Sequence, residues 1–162
     1  MSAIQEKTLY ILIGPPGCGK SKVAWELVNK GALRISGDDI FFAITDRTHA
    51  HWLGHGVMDA VNESTDKLMD GLLARGLTVI ADRTHLSPET RRRPIELARR
   101  HGFRVEGMVW LNFDQARERN SLRSGRDRVP ESVWVRMVEA YAAPTLEEGF
   151  DEIHQVVGSD GV

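Results

Sequence analysis

The chain has 162 residues, enough for one domain with a sizeable core and too few for two ordinary ones. Its 21 basic and 23 acidic residues leave a formal charge of −2, which argues against coating or sliding along a duplex while leaving open a local grip on one strand end. Apolar and charged fractions of 41% and 27% are those of a globular protein. No apolar run approaches a membrane span, and the opening MSAIQEK has no signal-peptide pattern. The single cysteine, Cys18, excludes an intrachain disulfide and suits a reducing cytoplasm.

Leu9, Tyr10, Ile11, Leu12 and Ile13 read as a buried parallel strand. The following GPPGCGKS fits G-x-x-x-x-G-K-[ST] through Gly14, Gly19, Lys20 and Ser21, with Gly17 as an extra glycine. Glycines permit backbone angles that let successive N–H groups converge on phosphate oxygens. The lysine reaches the β- and γ-phosphates, the serine hydroxyl can ligate Mg²⁺, and the helix that starts here adds the positive end of its dipole. Residues 20–30 read as that helix, with Val23, Ala24, Leu27 and Val28 on one stripe. Strand, glycine loop and helix therefore predict a nucleoside triphosphate site that uses Gly14, Pro15, Pro16, Gly17, Cys18, Gly19, Lys20, Ser21 and Lys22, with ATP and Mg²⁺ as its ligands. A redox role for Cys18 has a plainer alternative, a small residue at a tolerant loop position.

Ala32 to Ser36 reads as a short strand running into Gly37-Asp38-Asp39. An aspartate there can act as base toward an acceptor hydroxyl. Asp38 is the choice, since Asp39 suits a helix cap or turn better. If the extension persists, Ser36 and Asp38 share a face. Residues 40–56 are irregular in pattern and carry His49, His51 and His55, whose H-x-H-x₃-H spacing lacks the further ligand of a familiar zinc site. Trp52 beside them suits either stacking on a base or plugging the core.

A helix is predicted from about Met58 to Arg75, ended by Gly76, and then a strand from Leu77 to Ala81. Asp82, directly after that strand, reads as a Walker B-like Mg²⁺ carboxylate or as a residue that positions neighbours of Asp38, against the plainer reading of a strand-end cap. Ser87 and Pro88 open the next helix as N-cap and first helical residue, and it ends near His101-Gly102. Its Arg91-Arg92-Arg93 and Arg99-Arg100 read as a solvated face.

Phe103 to Leu111 reads as the fourth strand, and Asn112 to Asp114 lead into a helix over 115–122. A basic loop over 123–129 follows, then a helix from Pro130 to about Ala142 and a fifth strand from Glu152 to Val157. Five arginines stand in twelve residues between Arg117 and Arg128. Arg119 and Arg123 are four apart, which predicts one helical face closing over the transferring phosphoryl. Arg126 is a further candidate and Arg117 is assigned to the surface. Alternating strands and helices predict an α/β fold, a parallel five-stranded sheet covered on both faces, with ligands beyond the carboxyl ends of its strands. The expected organisation is a single domain over 1–162 with its core at about 8–157.

GPPGCGKS, SGDD, IADRTHLSPETRR, RNSLRSGRDRVPESV and EGFDEI, in this order, resemble the P-loop kinase domain of polynucleotide 5′-hydroxyl kinases of the phage and animal end-healing types. The resemblance spans roughly residues 8–157. It implies Asp38 as general base, Lys20 and Ser21 on the phosphates and metal, Arg119 and Arg123 as lid arginines, and Asp82 as the family's aspartate after the third strand. It also implies a nucleic-acid 5′ end as acceptor. In the phage type an arginine that engages the acceptor phosphate lies three residues after the base; here Phe41 stands there, with Arg34, Arg47 or Arg83 as candidate substitutes. The alternative acceptor is a small-molecule or modified-base hydroxyl, and a non-catalytic nucleotide switch is the third reading.

Overall fold

The computed structural model describes residues 7–45 and 55–157. Five strands are β1 (Thr8–Ile13), β2 (Leu33–Ile35), β3 (Val79–Asp82), β4 (Arg104–Val109) and β5 (Glu152–Gln155). Six helices are α1 (Lys20–Val28), α2 (Gly37–Thr45), α3 (His55–Ala74), α4 (Pro88–Arg100), α5 (Phe113–Leu122) and α6 (Glu131–Glu139). Single 3₁₀ turns lie at Gly125–Asp127 and Leu146–Glu148. His49, His51, Trp52 and Arg47 lie outside the described residues, as do the side chains of His55 and Arg126. Among the described residues, no helix is long and apolar enough to cross a membrane.

The sheet runs β2-β3-β1-β4-β5 with every pairing parallel. The most apolar strand, β1, takes the centre, and all six of its residues are buried. Its side chains alternate between two cores, as strand geometry requires. Leu9, Ile11 and Ile13 pack with Met69, Leu73, Ile95 and Leu97 under α3 and α4. Tyr10 and Leu12 pack with Ala24, Leu27, Ala116 and Trp134 under α1, α5 and α6. The edge strands are short, and the polar β5 is largely exposed, which limits edge pairing with another chain. On that edge Glu106 and Glu152 meet His154, with Arg104 paired to both carboxylates.

Two expectations are corrected. The segment expected to be irregular from residue 40 instead continues, as far as Thr45, a helix that begins at Gly37, although isoleucine, threonine and phenylalanine are middling helix formers. Burial of Phe41 against Val61 outweighs propensity, and acidic Asp38 and Asp39 suit the first turn. The Ser36 hydroxyl accepts the Asp39 backbone N–H at 3.3 Å, so S-G-D-D works as a helix start with Ser36 as its cap. The extension therefore does not persist to Asp38, and Ser36 and Asp38 do not share a strand face.

Arg91 is the second correction. The other arginines of α4 are exposed, but Arg91 is fully buried. Its guanidinium donates to both carboxylate oxygens of Glu148, at 2.7 and 2.8 Å, and to the His85 carbonyl at 2.9 Å. Partial burial alone would raise the Glu148 carboxyl, but the Arg91 hydrogen bonds, the Thr145 backbone N–H and the Arg91 charge together outweigh it and hold the group below its ordinary pKa. Its stabilising contribution is therefore complete above the ordinary glutamate range and lost as pH falls through the lowered value. Glu148→Ala strands a buried cation and is expected to cost about 3–5 kcal/mol in urea denaturation. A loss below about 1 kcal/mol, typical of exposed pairs, would show that the pair is solvated.

Candidate active site

The site is built where β1 ends between β3 and β4, the switch point at which the chain's connections diverge. The loop from Gly14 to Gly19 leaves β1 there, with Gly17 and Gly19 in left-handed conformation at φ 93° and 105°. A Cβ at Gly17 would run into the Ala116 carbonyl oxygen, so the loop lies flat on α5. Trp134 donates its indole N–H to the Pro16 carbonyl at 3.0 Å from the α6 side. From the β3 side, Gly14 N–H donates to the Thr84 carbonyl at 3.0 Å.

His85 completes this clamp. Its ring is buried, its backbone is left-handed at φ 44°, and Nδ1 lies 3.0 Å from the Leu12 carbonyl, to which it must donate. Burial lowers its pKa from 6.5 to about 4, against the Leu12 hydrogen bond, which raises it. The ring is neutral at pH 7, with its proton on Nδ1. His85 stands within the motif IADRTHLSPETRR, but nothing local marks a histidine as buried, so its role is not legible from sequence.

Lys20 donates to the Gly14 and Pro15 carbonyls at 2.7 and 2.9 Å, and its Nζ lies 3.6 Å from Cys18 Sγ. Burial pushes the Cys18 thiol up despite that neighbouring ammonium, which keeps it protonated and fits the plainer reading of this residue. Lys20 and Ser21 line a cleft of about 480 Å³ together with Pro16, Gly17, Gly19, Asp38, Asp82 and Arg123. Most of the residues singled out from sequence thus meet in one cavity. Gly14, Pro15 and Cys18 are buried in the loop, and Lys22 is exposed on α1 outside the cleft lining.

Asp38 is exposed in the first turn of α2, and its carboxylate has no hydrogen bond or ion pair among the described residues. Asp39 and Asp82 are both engaged by Arg34, whose Nε donates to Asp82 at 2.6 Å and whose Nη1 pairs with Asp39. The guanidinium lies 5.1 Å from the Trp25 ring centre. Burial alone would lower the Arg34 pKa, but the two carboxylates outweigh it and keep the group cationic. Arg34 is therefore committed within the protein. Phe41 is buried, and it lines the far wall of the cleft with Phe42 and Met58.

The arginines after β4 divide. Arg119 and Arg123 do not share a helical face, because α5 ends at Leu122 and Arg123 is extended at φ −74°, ψ 159°. A guanidinium nitrogen of Arg119 lies 4.0 Å from where a Cβ on Gly19 would stand. Arg123 lines the cleft, with Nη1 3.4 Å from the Asp127 carbonyl. Arg117 pairs with Glu131 and faces Trp134 at the surface, as expected. For a metal, the cleft offers the Ser21 hydroxyl and the Asp82 carboxylate, hard oxygen donors of the kind that Mg²⁺ takes.

Two measurements test this geometry. Gly17→Ala should lower folding stability by at least about 1–3 kcal/mol, the ordinary cost of such backbone strain, because the steric contact adds to it; a neutral change would contradict the packed loop. For His85, the unfolded ring takes a proton near pH 6.5 that the folded ring refuses until about 4. Its contribution is thus intact above pH 6.5 and lost as pH falls toward 4. His85→Asn, which keeps an N–H donor and tolerates left-handed backbone, should flatten the denaturation midpoint across that window. An unchanged slope would place the acid sensitivity elsewhere.

A family model described as an AAA domain matches residues 9–144. No curated protein matches the sequence. Among solved structures, a chain of the Pnkp1/Rnl/Hen1 RNA repair complex is 20% identical, with a TM-score of 0.68, over 85% of this chain and 44% of that one. A gluconokinase from Sinorhizobium meliloti is 19% identical with a TM-score of 0.61, over 94% of this chain and 83% of that one. The Mycobacterium tuberculosis APS kinase CysC, in complex with AMPPNP and APS, is 15% identical with a TM-score of 0.60, over 96% and 92%. This chain spans about half the length of the RNA-repair chains it matches. At these identities the likeness is one of fold. The chain belongs to the AAA domain family and has the parallel α/β fold of P-loop kinases.

Proposed function

We propose that this chain is an ATP- and Mg²⁺-dependent kinase that transfers the γ-phosphoryl group to an alcohol hydroxyl. The observation that carries this reading is the uncommitted Asp38 carboxylate in the same cleft as Lys20 and Ser21. A nucleotide switch needs binding and hydrolysis alone, whereas an acceptor base across from the phosphate loop serves transfer.

In this reading the acceptor oxygen lies between Asp38 and the γ-phosphorus. Asp38 takes the hydroxyl proton as the new P–O bond forms, and the bond to the β-bridging oxygen breaks to release ADP. Lys20 swings from the Gly14 and Pro15 carbonyls on its flexible stem to meet the phosphates. Ser21 and Asp82 would hold Mg²⁺, which neutralises charge on the phosphates. Arg123, and Arg119 beside Gly19, supply fixed positive charge to the transferring group and limit water.

The sequence resemblance favours a nucleic-acid 5′-hydroxyl as acceptor, while the fold is shared alike with the RNA repair chain, the gluconokinase and the APS kinase and does not choose among acceptors. Phe41 supports a second reading, a small-molecule hydroxyl, because it belongs to the apolar core where the phage-type kinases carry a phosphate-binding arginine. Labelled ATP tested against 5′-hydroxyl oligonucleotides and a panel of nucleosides and sugars separates the two. With whichever acceptor is used, Asp38→Asn should reduce transfer by about 10²–10⁴-fold while calorimetric ATP affinity holds. Undiminished turnover in that variant would remove Asp38 as base.

A further inference from the structure

The β4–β5 edge of the sheet carries a cluster of polar side chains away from the cleft. The register sets Glu106 opposite Glu152 and Met108 opposite His154. Val105, Val109 and Ile153 pack into the core under α3 and α4, so the alternating residues Arg104, Glu106, Glu152 and His154 share the other face. Carboxylates directly opposite on neighbouring strands repel each other. Glu106 is also buried, where an unmatched charge is costly.

The oxygens of these two acids are divided between two partners. Arg104 takes one oxygen of each, with Nε 3.3 Å from Glu106 Oε1 and Nη2 paired with Glu152 Oε1. The other oxygen of each turns to the same imidazole nitrogen, His154 Nε2, at 3.3 Å from Glu106 Oε2 and 3.2 Å from Glu152 Oε2. Both separations exceed the roughly 2.7–2.9 Å of a charge-assisted hydrogen bond. A single ring N–H also points along one line and serves only one of the two oxygens well. Metal bonds of about 2.0–2.2 Å in a tetrahedral site, by contrast, set neighbouring ligand atoms about 3.3 Å apart. One ligand atom from each of the three residues lies within 4.8 Å of the others.

We propose that His154 Nε2 and the carboxylates of Glu106 and Glu152 form a site for a divalent transition metal, with Zn²⁺ the best match, that links the edge strand β5 to β4. An imidazole beside carboxylates suits Zn²⁺, whereas Mg²⁺ and Ca²⁺ take oxygen donors. Arg104 is the outer partner that orients both carboxylates, as groups behind metal ligands do. Glu152 and His154 are half exposed, so a fourth position is open to water. β5 has four residues and is largely exposed, and the ion adds a side-chain link to its backbone pairing. None of the three ligands lines the phosphate cleft, so the site stands apart from the kinase reading.

The test is calorimetric titration of Zn²⁺ into the full chain after dialysis against a chelator, with His154→Gln and Glu152→Gln alongside. Both substituted side chains are half exposed, so the fold holds without them, and denaturation midpoints measured without zinc check that. The expected result is a saturable step in the wild-type chain that each variant weakens by at least about tenfold, the smallest loss usual even for the groups behind metal ligands. Zinc should raise the wild-type midpoint, as any ligand of the folded state does, and leave those of the variants nearly unmoved. Mg²⁺ at the same concentration should not reproduce the rise. The absence of a saturable step overturns the proposal. So does wild-type affinity in either variant, which would put the ion on other histidines, or a midpoint that zinc raises equally in all three chains.

Discussion

The arrangement depends on one contact, the locking of the turn after β3 against the end of β1. Gly14 N–H donates to the Thr84 carbonyl and the buried His85 ring donates to the Leu12 carbonyl. Together these fix where the phosphate loop leaves the sheet and hold Asp82, Arg83 and Thr84 alongside it. Arg91 reinforces the turn from behind by donating to the His85 carbonyl while bound to Glu148. A neutral ring and a buried ion pair therefore act on one short turn, and the left-handed backbone at His85 persists because both hold it.

From that anchor the charges of the cleft sort themselves. Arg34 bridges Asp82 on β3 and Asp39 on α2, and its face covers Trp25 on α1. Two carboxylates are thereby matched by one partly buried cation, and the first turn of α2 is tied to the sheet. Asp38 is left out of that network and faces the cleft with Lys20 and Arg123. An acid without a structural partner is the one free to accept a proton. Its position follows from Ser36 capping α2, which turns the chain from strand to helix within two residues.

Much of this was legible in the sequence because it depends on short-range rules. The apolar run over residues 9–13, the glycine spacing and the Ser87-Pro88 helix start each specify local geometry, and the alternation of strands and helices then dictates a parallel sheet. Asp38, Lys20, Ser21 and Asp82 could be placed on one edge from that alone. What stayed hidden depends on distant partners. Arg91 looks like its neighbours until Glu148, far along the chain, arrives to bury it. Residues 40–45 look irregular until Phe41 finds Val61. The pairing of Arg119 with Arg123 failed for a local reason, since the helix stops at Leu122 and the backbone extends at Arg123.

The central claim is that Asp38 and Lys20 address opposite sides of one phosphorus. A crystal structure with a non-hydrolysable ATP analogue and an acceptor alcohol tests it directly. The account predicts the Lys20 ammonium on the outer phosphates, off the Gly14 and Pro15 carbonyls, and the acceptor oxygen within about 3 Å of the Asp38 carboxylate, in line with the γ-phosphorus. A bound analogue that leaves Lys20 on those carbonyls, or an alcohol held out of reach of Asp38, would contradict it.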